Sequence, residues 1–321
     1  MPPRIDVDEK FSCFAFDQFS TRDDLVNELV LDAHFWVLRA FPLAFEEFWH
    51  DWLGSLQIRA VRGSNLVLLV TAPSASPDIL DHENQELTQE LNHFLHGLLL
   101  QGVPWYEKGF SVTGANVRGE IQIRQFGDLK GFHPTWGFAG LQVGRDEIDR
   151  AVSLASRLRQ VYRPYPDWSR LARGLSTLLR GSEETEGPDR LHQFVRAFEA
   201  LIRPEISRTR RQFIYRAQTF ATPGPAAGAA LGEIFDIRSH VEHLHSPLDA
   251  LSGTDDERTA LALRRTRQID RLCRFALVRV LESDELFEQF RTDAGIDAFW
   301  ALRDHERRRM VGNQIDLSRV T

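Results

Sequence analysis

The stretch that decides the fold of the C-terminal half is Leu231-Gly232-Glu233-Ile234-Phe235-Asp236-Ile237-Arg238-Ser239-His240-Val241-Glu242-His243. Its apolar residues recur at helical spacing, and the stripe that they form continues through Arg238, which predicts an amphipathic helix. Pro247 disfavours helical geometry in the residue before it, so the helix should end close to His243.

This helix carries residues that suit phosphate chemistry. Arg238 falls on or beside the buried face, where an arginine is almost never found without a partner. His243 falls in the last turn, where free carbonyls and the helix dipole favour the imidazolium. Such a pair is typical of a site that binds and cleaves a phosphodiester. The alternative is a buried ion pair that serves only the helical bundle, with Glu199, Asp236 or Glu242 as the partner.

The composition sets limits on the class of protein. A chain of 321 residues is long enough for two domains with separate cores. The net charge of −7 argues against non-specific coating of nucleic acid, although it allows a local basic site. Cys13 and Cys273 are too few for a disulfide framework, which predicts a reducing, cytoplasmic location. No apolar stretch approaches the roughly eighteen residues of a membrane span, so no membrane segment is expected.

Two regions with different patterns follow one another along the chain. Residues 1–145 have the mixed pattern of an α+β domain. The predicted helices there cover 25–41, 43–53 and 87–98, and the predicted strands cover 58–62, 66–71, 110–113 and 120–124, with a hairpin turn at 63–65. Residues 146–321 carry only helical patterns, which predicts an all-α helical bundle.

A family resemblance rests on three parts of this second region. The segment Leu191-His192-Gln193-Phe194-Val195-Arg196-Ala197-Phe198-Glu199-Ala200-Leu201, the later Arg216 and the motif 235–243 together resemble the HEPN superfamily, most closely its large, Apea-like branch. Members are helical bundles with an arginine, a polar residue directly after it and a histidine a few residues beyond. Here these residues are Arg238, Ser239 and His243, and the resemblance covers residues 171–281.

The resemblance implies a metal-independent endoribonuclease of the kind found among toxins and defence effectors, without a cofactor. Family members dimerise so that two motifs face each other, which implies a homodimer formed by the C-terminal bundle. In RNA cleavage the ribose 2′-hydroxyl attacks phosphorus, so protons must move and charge must be stabilised. His243 would be the acid or base, Arg238 would hold the scissile phosphate in bidentate fashion, and Ser239 would orient it. An antitoxin or defence-system component would be a further partner.

The helix geometry limits how this motif can work. Five residues of an ideal helix rotate by about 140°, so Arg238 and His243 cannot share one face of a straight helix. Either the helix ends between them or two subunits supply the pair. Glu199 is expected to fix an arginine, Arg238 or Arg216, and Asp236 is expected to support the same group.

Arginines that could bind RNA are concentrated on two helices. Residues 203–216 contain five arginines and one acid, and residues 264–279 contain a second cluster. These helices are expected to form an electrostatic track for RNA, with Arg208, Arg210 and Arg211 in contact with it. The other interpretation is that both clusters are solvated helix faces, neutralised by acids elsewhere.

Other chemistries find less support in the sequence. His240 and His243 have a spacing that can chelate zinc, but a carboxylate from elsewhere would be needed, and no metal is expected. There is no Gly-rich phosphate loop, nucleophile elbow or His-Glu-x-x-His motif. Two other functions stay open: a catalytically silent HEPN interaction or nucleotide-binding module, and an RNA-binding subunit of a larger assembly. Glu242 favours the silent module if it points into the cleft, because a carboxylate there would repel phosphate.

Overall fold

The computed structural model describes residues 5–134, 140–163, 167–205 and 208–320. The chain divides into two compact units. The first comprises described residues within 1–99, 103–132 and 138–156, and the second comprises those within 100–102, 133–137 and 157–321. The division falls within the helix Arg145–Val161, after the predicted boundary between residues 145 and 146.

The first unit is built on a six-stranded antiparallel sheet. Its strands are β1 (Glu9–Asp17), β2 (Glu28–Asp32), β3 (Phe35–Leu38), β4 (Leu66–Pro73), β5 (Lys108–Val117) and β6 (Glu120–Asp128), in the order β2-β3-β4-β1-β5-β6. Cys13 of β1 pairs with Leu69 on one side and with Val112 on the other. Nearly every residue of β1 is buried, so both faces of the sheet must be covered at this strand.

Helices cover the two faces of this sheet. They are α1 (Glu47–Arg62) and α2 (His82–Gln101), and α3 (Arg145–Val161) packs closely against α2 where Gly97 meets the backbone of Ala151. Trp49 of α1 belongs to the same apolar cluster as Phe11 and Cys13 of β1. On the opposite face, the hydroxyl of Ser12 lies 2.9 Å from that of Thr88 in α2. The prediction of an α+β first region is therefore confirmed.

Several local predictions in this unit are wrong. The predicted helix over 25–41 contains the hairpin of β2 and β3, and the predicted strand over 58–62 is the last part of α1. Residues 63–65 lead from that helix into β4 and do not join two strands. The strand β1 has no predicted counterpart. The hairpin forms because β3 pairs with β4, for example Val37 with Leu68, and this contact is distant in sequence.

The second unit is helical, as predicted for the C-terminal region. Its helices are α4 (Ser169–Glu183), α5 (Gly187–Ile202), α6 (Thr209–Ala217), α7 (Pro225–Glu242), α8 (Asp255–Glu282), α9 (Asp284–Gln289), α10 (Asp293–Ala301) and α11 (Asp304–Val311). The central helix is α5, which contacts α4, α6, α7, α8 and α10. Phe198 of α5 forms edge-to-face contacts with Phe213 and Phe220. Among the described residues, no helix has both the length and the apolar character needed to cross a membrane.

Candidate functional site

The motif helix α7 runs through Glu242 and has His243 as its C-terminal cap. The predicted end close to His243 is therefore confirmed. Because the helix continues from Arg238 to Glu242, it does not end between Arg238 and His243. The two side chains of one chain point in directions about 140° apart around the axis. A helix end between Arg238 and His243 is therefore excluded, and a pair supplied by two subunits stays a prediction.

Arg238 is held by two carboxylates. Its side chain is 15% exposed, and its Nη2 lies 3.3 Å from Oε2 of Glu199 on α5. Its Nη1 donates to Glu242, one turn further along α7. The guanidinium also lies 5.7 Å from the ring centroid of Phe235. Arg238 thus joins α7 to α5, and of the three acids considered as partners, Glu199 and Glu242 are the ones that bind it.

The Glu199 carboxylate is electrostatically unusual. Burial raises its pKa, and the positive charge of Arg238 opposes that rise. Within the described part of the chain, Oε1 of Glu199 and Nε of Arg238 have no hydrogen-bond partner. The buried ion pair therefore retains one acceptor and one donor that no described residue satisfies.

A concave surface next to this ion pair is strongly basic. The cavity has a volume of about 800 Å³ and lies within the second unit. Its charged lining consists of six arginines and three acids: Arg170, Arg173, Arg196, Arg203, Arg216 and Arg238, with Glu199, Glu205 and Asp297. The arginines exceed the acids by three, although the whole chain carries a net charge of −7. The site is suited to an anionic ligand.

One face of α5 supplies much of this lining. Arg196 and Glu199 of α5 and its C-terminal cap Arg203 line the cavity, and His192 lies one turn before Arg196 on the same face of the helix without lining the cavity. The opposite face is apolar and buried, with Phe194 and other residues in the core. Glu199 was the only residue of this helix that was predicted to belong to the site, so Arg196 and His192 were missed. The polar stripe at i, i+4 and i+7 was the available signal.

Arg216 has a structural position in the cavity wall. Its Nη1 donates to the carbonyls of Ile202 and Arg203, at 2.7 and 2.5 Å. Its guanidinium lies 5.1 Å from the ring centroid of Trp300. Arg216 therefore satisfies carbonyls at the C-terminal end of α5, where helix carbonyls lack partners. Glu199 binds Arg238 and not Arg216.

The other two residues of the motif lie away from this cavity. His243 is exposed, and its ring centroid is 6.4 Å from that of His245. The carbonyl of Ser239 accepts the backbone N–H of His243, and neither residue lines the cavity. Nδ1 of His240 lies 3.0 Å from the carbonyl of Ser246. The structure of one chain thus separates His243 from Arg238, and the described residues contain no group of three potential metal ligands.

The arginines expected to contact RNA lie around a smaller concave surface. Arg208, Arg210 and Arg211 line this cavity of about 520 Å³. Arg210 forms a bidentate pair with Asp236, with distances of 2.7 and 2.8 Å, and this hydrogen bonding raises the pKa of Arg210. Asp236 therefore supports Arg210, and it does not support Arg238.

The second arginine cluster does not form the expected continuous track. Arg274 of α8 is buried and binds Asp270 at 2.6 Å. Arg265 binds Glu233 at 2.7 Å. Nε of Arg279 donates to the carbonyl of Val311. The expectation that this helix offers its arginines to RNA is wrong for these three, because intramolecular partners hold them.

His192 faces the same ion pair from α5. Burial lowers its pKa, and the positive charges of Arg238 and Arg196 act in the same direction. Its Nδ1 is buried and has no hydrogen-bond partner among the described residues. His192 therefore belongs to the electrostatic environment of Arg238, and it also forms a hydrogen bond with the backbone of Arg238.

Comparisons with known proteins identify no relative. No protein-family model matches the chain, and neither the curated proteins nor the solved structures include a significant match. The resemblance to the HEPN superfamily is thus carried by the quoted residues alone. The geometry of the arginine-lined cavity is the independent basis for a functional proposal.

Proposed function

We propose that this protein is a metal-independent endoribonuclease of HEPN type that acts as a toxin or a defence effector. The observation that carries the proposal is the cavity of six arginines that contains Arg238 and its partner Glu199. A local excess of arginine in an acidic protein favours a phosphate-bearing ligand. Free, buried Cys13 and Cys273 support a reducing cytoplasm as its location.

The residues present can perform each step of RNA cleavage. A base removes the proton of the ribose 2′-hydroxyl, and that oxygen attacks phosphorus. The bond to the 5′-oxygen breaks, and an acid gives that oxygen a proton, so the products are a 2′,3′-cyclic phosphate and a 5′-hydroxyl. Arg238 holds the phosphate oxygens as negative charge develops, and Ser239 orients this group. His243 takes the proton of the 2′-hydroxyl and, as the imidazolium, gives a proton to the departing 5′-oxygen, an acid–base role worth about 10²- to 10⁴-fold.

The proposed active site is composite. The exposed His243 at the end of α7 and Arg238 in the cavity lie in different directions, so we assign the working pair to two chains of a homodimer formed by the helical unit. A symmetric dimer places the same surface of each chain against the other, so each chain contributes an arginine to one site and a histidine to the next.

A second candidate function is supported by the contacts of Arg238. Glu199 and Glu242 together neutralise this guanidinium, and Glu242 occupies the position where a phosphate oxygen would bind. If these contacts persist with ligand, the protein is a catalytically silent interaction or nucleotide-binding module. In that case Arg238→Ala lowers stability or partner binding, and neither the wild type nor the variant cleaves RNA.

A cleavage assay in excess chelator tests the proposal. Wild type is compared with Arg238→Ala, His243→Ala and Arg309→Ala, an exposed arginine of α11 that serves as the charge control. We expect fragments with 2′,3′-cyclic phosphate ends from the wild type and the control, and none from the other two variants. Cleavage that persists in both variants would place the active site elsewhere. A wild type that leaves tRNA, rRNA and mRNA intact would favour the silent module.

A further inference from the structure

The six arginines of the cavity fall into two groups. Four have structural partners: Arg170 binds Asp293 at 3.0 Å, Arg203 binds Asp297 at 2.6 Å, Arg216 binds two carbonyls and Arg238 binds Glu199. Within the described ranges, neither Arg173 nor Arg196 hydrogen-bonds a carboxylate. Nε of Arg173 makes one long contact, 3.4 Å, with the carbonyl of Ser169. Both side chains are exposed at the cavity wall.

The packing of α4 against α5 brings these two arginines to the same cavity. Gly174 of α4 is so close to α5 that an added Cβ would lie 2.8 Å from Cβ of Ala200 and 3.2 Å from the carbonyl oxygen of Ala197. Arg173 directly precedes this glycine, and Arg196 directly precedes Ala197. The close approach of the two helices therefore places two exposed guanidiniums on adjacent walls of one cavity, where Arg173 acts electrostatically on Asp293 and Arg196 acts on Glu199.

We propose that Arg173 and Arg196 form a clamp for phosphates of a single RNA strand whose scissile phosphate lies at Arg238. The inference rests on the proposed function and names how that site holds its substrate. An anion that binds at Arg170 or Arg203 competes with a bound carboxylate, whereas at Arg173 or Arg196 it meets a guanidinium with no carboxylate hydrogen bond among the described residues. Arginine suits this role because its planar group binds two phosphate oxygens at once.

The clamp predicts a measurable dependence on salt. Each phosphate contact to a single strand contributes about 0.7 to the slope of log affinity against log salt concentration. Loss of both arginines should make the slope shallower by about 1.4. Loss of a charge-assisted hydrogen bond at each position should also weaken binding about tenfold per arginine.

The experiment measures binding separately from cleavage. Fluorescence anisotropy of a labelled single-stranded RNA is recorded over a salt series, with His243→Ala as the background so that the probe stays intact. Arg173→Gln/Arg196→Gln is compared with Arg208→Gln/Arg211→Gln, which removes the same charge from the neighbouring cavity. Arg309→Gln is the control on α11. Arg173→Lys/Arg196→Lys retains the charge and loses the bidentate geometry.

The expected result is a loss of about 100-fold for the first double variant, with the shallower slope, and a smaller loss for the lysine variant. Arg309→Gln should bind like its background. No loss in the first double variant, or a loss no larger than that of Arg309→Gln, would overturn the clamp; the Arg208→Gln/Arg211→Gln variant reports whether the neighbouring cavity also holds RNA. If the wild type cleaves RNA but the loss of Arg173 and Arg196 leaves RNA affinity unchanged, the clamp is refuted and the nuclease is not. If RNA binding requires Arg173 and Arg196 but the wild type yields no cyclic phosphate product, the nuclease is refuted and the clamp is supported.

Discussion

The close contact of α4 with α5 at Gly174 makes a sharp prediction about stability. Carbon atoms in ordinary contact are about 3.5–4.0 Å apart, so a methyl group at Gly174, 2.8 Å from Cβ of Ala200, requires the helices to separate by about 0.7 Å or more. Such overpacking costs about 1–3 kcal/mol. In a helix, alanine otherwise gains about 0.5–1 kcal/mol over glycine, which offsets part of this cost.

A second glycine supplies the matched control. Gly228 lies within α7, and an added Cβ would find its nearest atoms at 3.9 Å, which is ordinary contact. We expect Gly228→Ala to raise the free energy of unfolding by about 0.5–1 kcal/mol. Gly174→Ala should be less stable than Gly228→Ala by the overpacking cost, about 1–3 kcal/mol. Urea unfolding followed by far-ultraviolet circular dichroism measures both values.

A double-mutant cycle identifies the contact responsible. Ala200→Gly removes the opposing methyl group, so the double variant Gly174→Ala/Ala200→Gly should be more stable than the sum of the single effects by about 1–3 kcal/mol. Gly174→Ala should also weaken RNA binding, because it moves Arg173 away from Arg196, whereas Gly228→Ala should not. Equal stabilisation by the two alanine substitutions, with no coupling in the cycle, would refute the proposed packing and its part in building the cavity.

Three further predictions concern titration and capping. Burial raises the pKa of Glu199 above its ordinary 4.5, so the native state binds this proton more tightly than the unfolded chain does. The stability of wild type relative to Glu199→Gln should therefore fall as pH rises above 4.5. Urea unfolding between about pH 4 and 7 checks this. Burial lowers the pKa of His192 below 6.5, so the unfolded chain binds its proton more tightly than the native state does. Wild type should therefore lose stability relative to His192→Gln as pH falls below 6.5. A stability difference between the two proteins that does not change with pH would contradict this. Thr254→Ala should cost about 1 kcal/mol and lower Tm by about 2–4 °C in calorimetry, because Thr254 and Glu257 form a reciprocal capping box at the start of α8; an unchanged Tm would show that the cap contributes nothing.

The reliable parts of the sequence prediction were those determined by local patterns. The helical pattern of residues 146–321 and the end of α7 near His243 both depend on residues a few positions apart. The secondary structure of the first unit was harder to predict because its strands are determined by pairing with residues distant in sequence. The region 25–41 has apolar spacing compatible with a helix, and only the pairing of β3 with β4 makes it a hairpin.

The candidate site shows the same division. Glu199 was predicted to bind an arginine, and in the structure that arginine is Arg238. RNA contacts were predicted for the densest run of arginines, but Arg210 in that run is paired with Asp236. Arg196 lies in the polar stripe of α5, which the sequence shows, whereas no sequence pattern marks Arg173. Only the packing of α4 against α5 at Gly174 brings the two arginines to one cavity.

The central claim is that Arg238 of one chain works with His243 of another, and subunit complementation tests it most directly. Arg238→Ala and His243→Ala proteins, each inactive alone, are mixed, unfolded and refolded together, and RNA cleavage is assayed in excess chelator. Half of the randomly formed dimers then contain one intact site of two, so activity should return to about a quarter of the wild-type level. Mixtures that stay as inactive as the separate variants, while wild type treated in the same way recovers its activity, would contradict the shared active site.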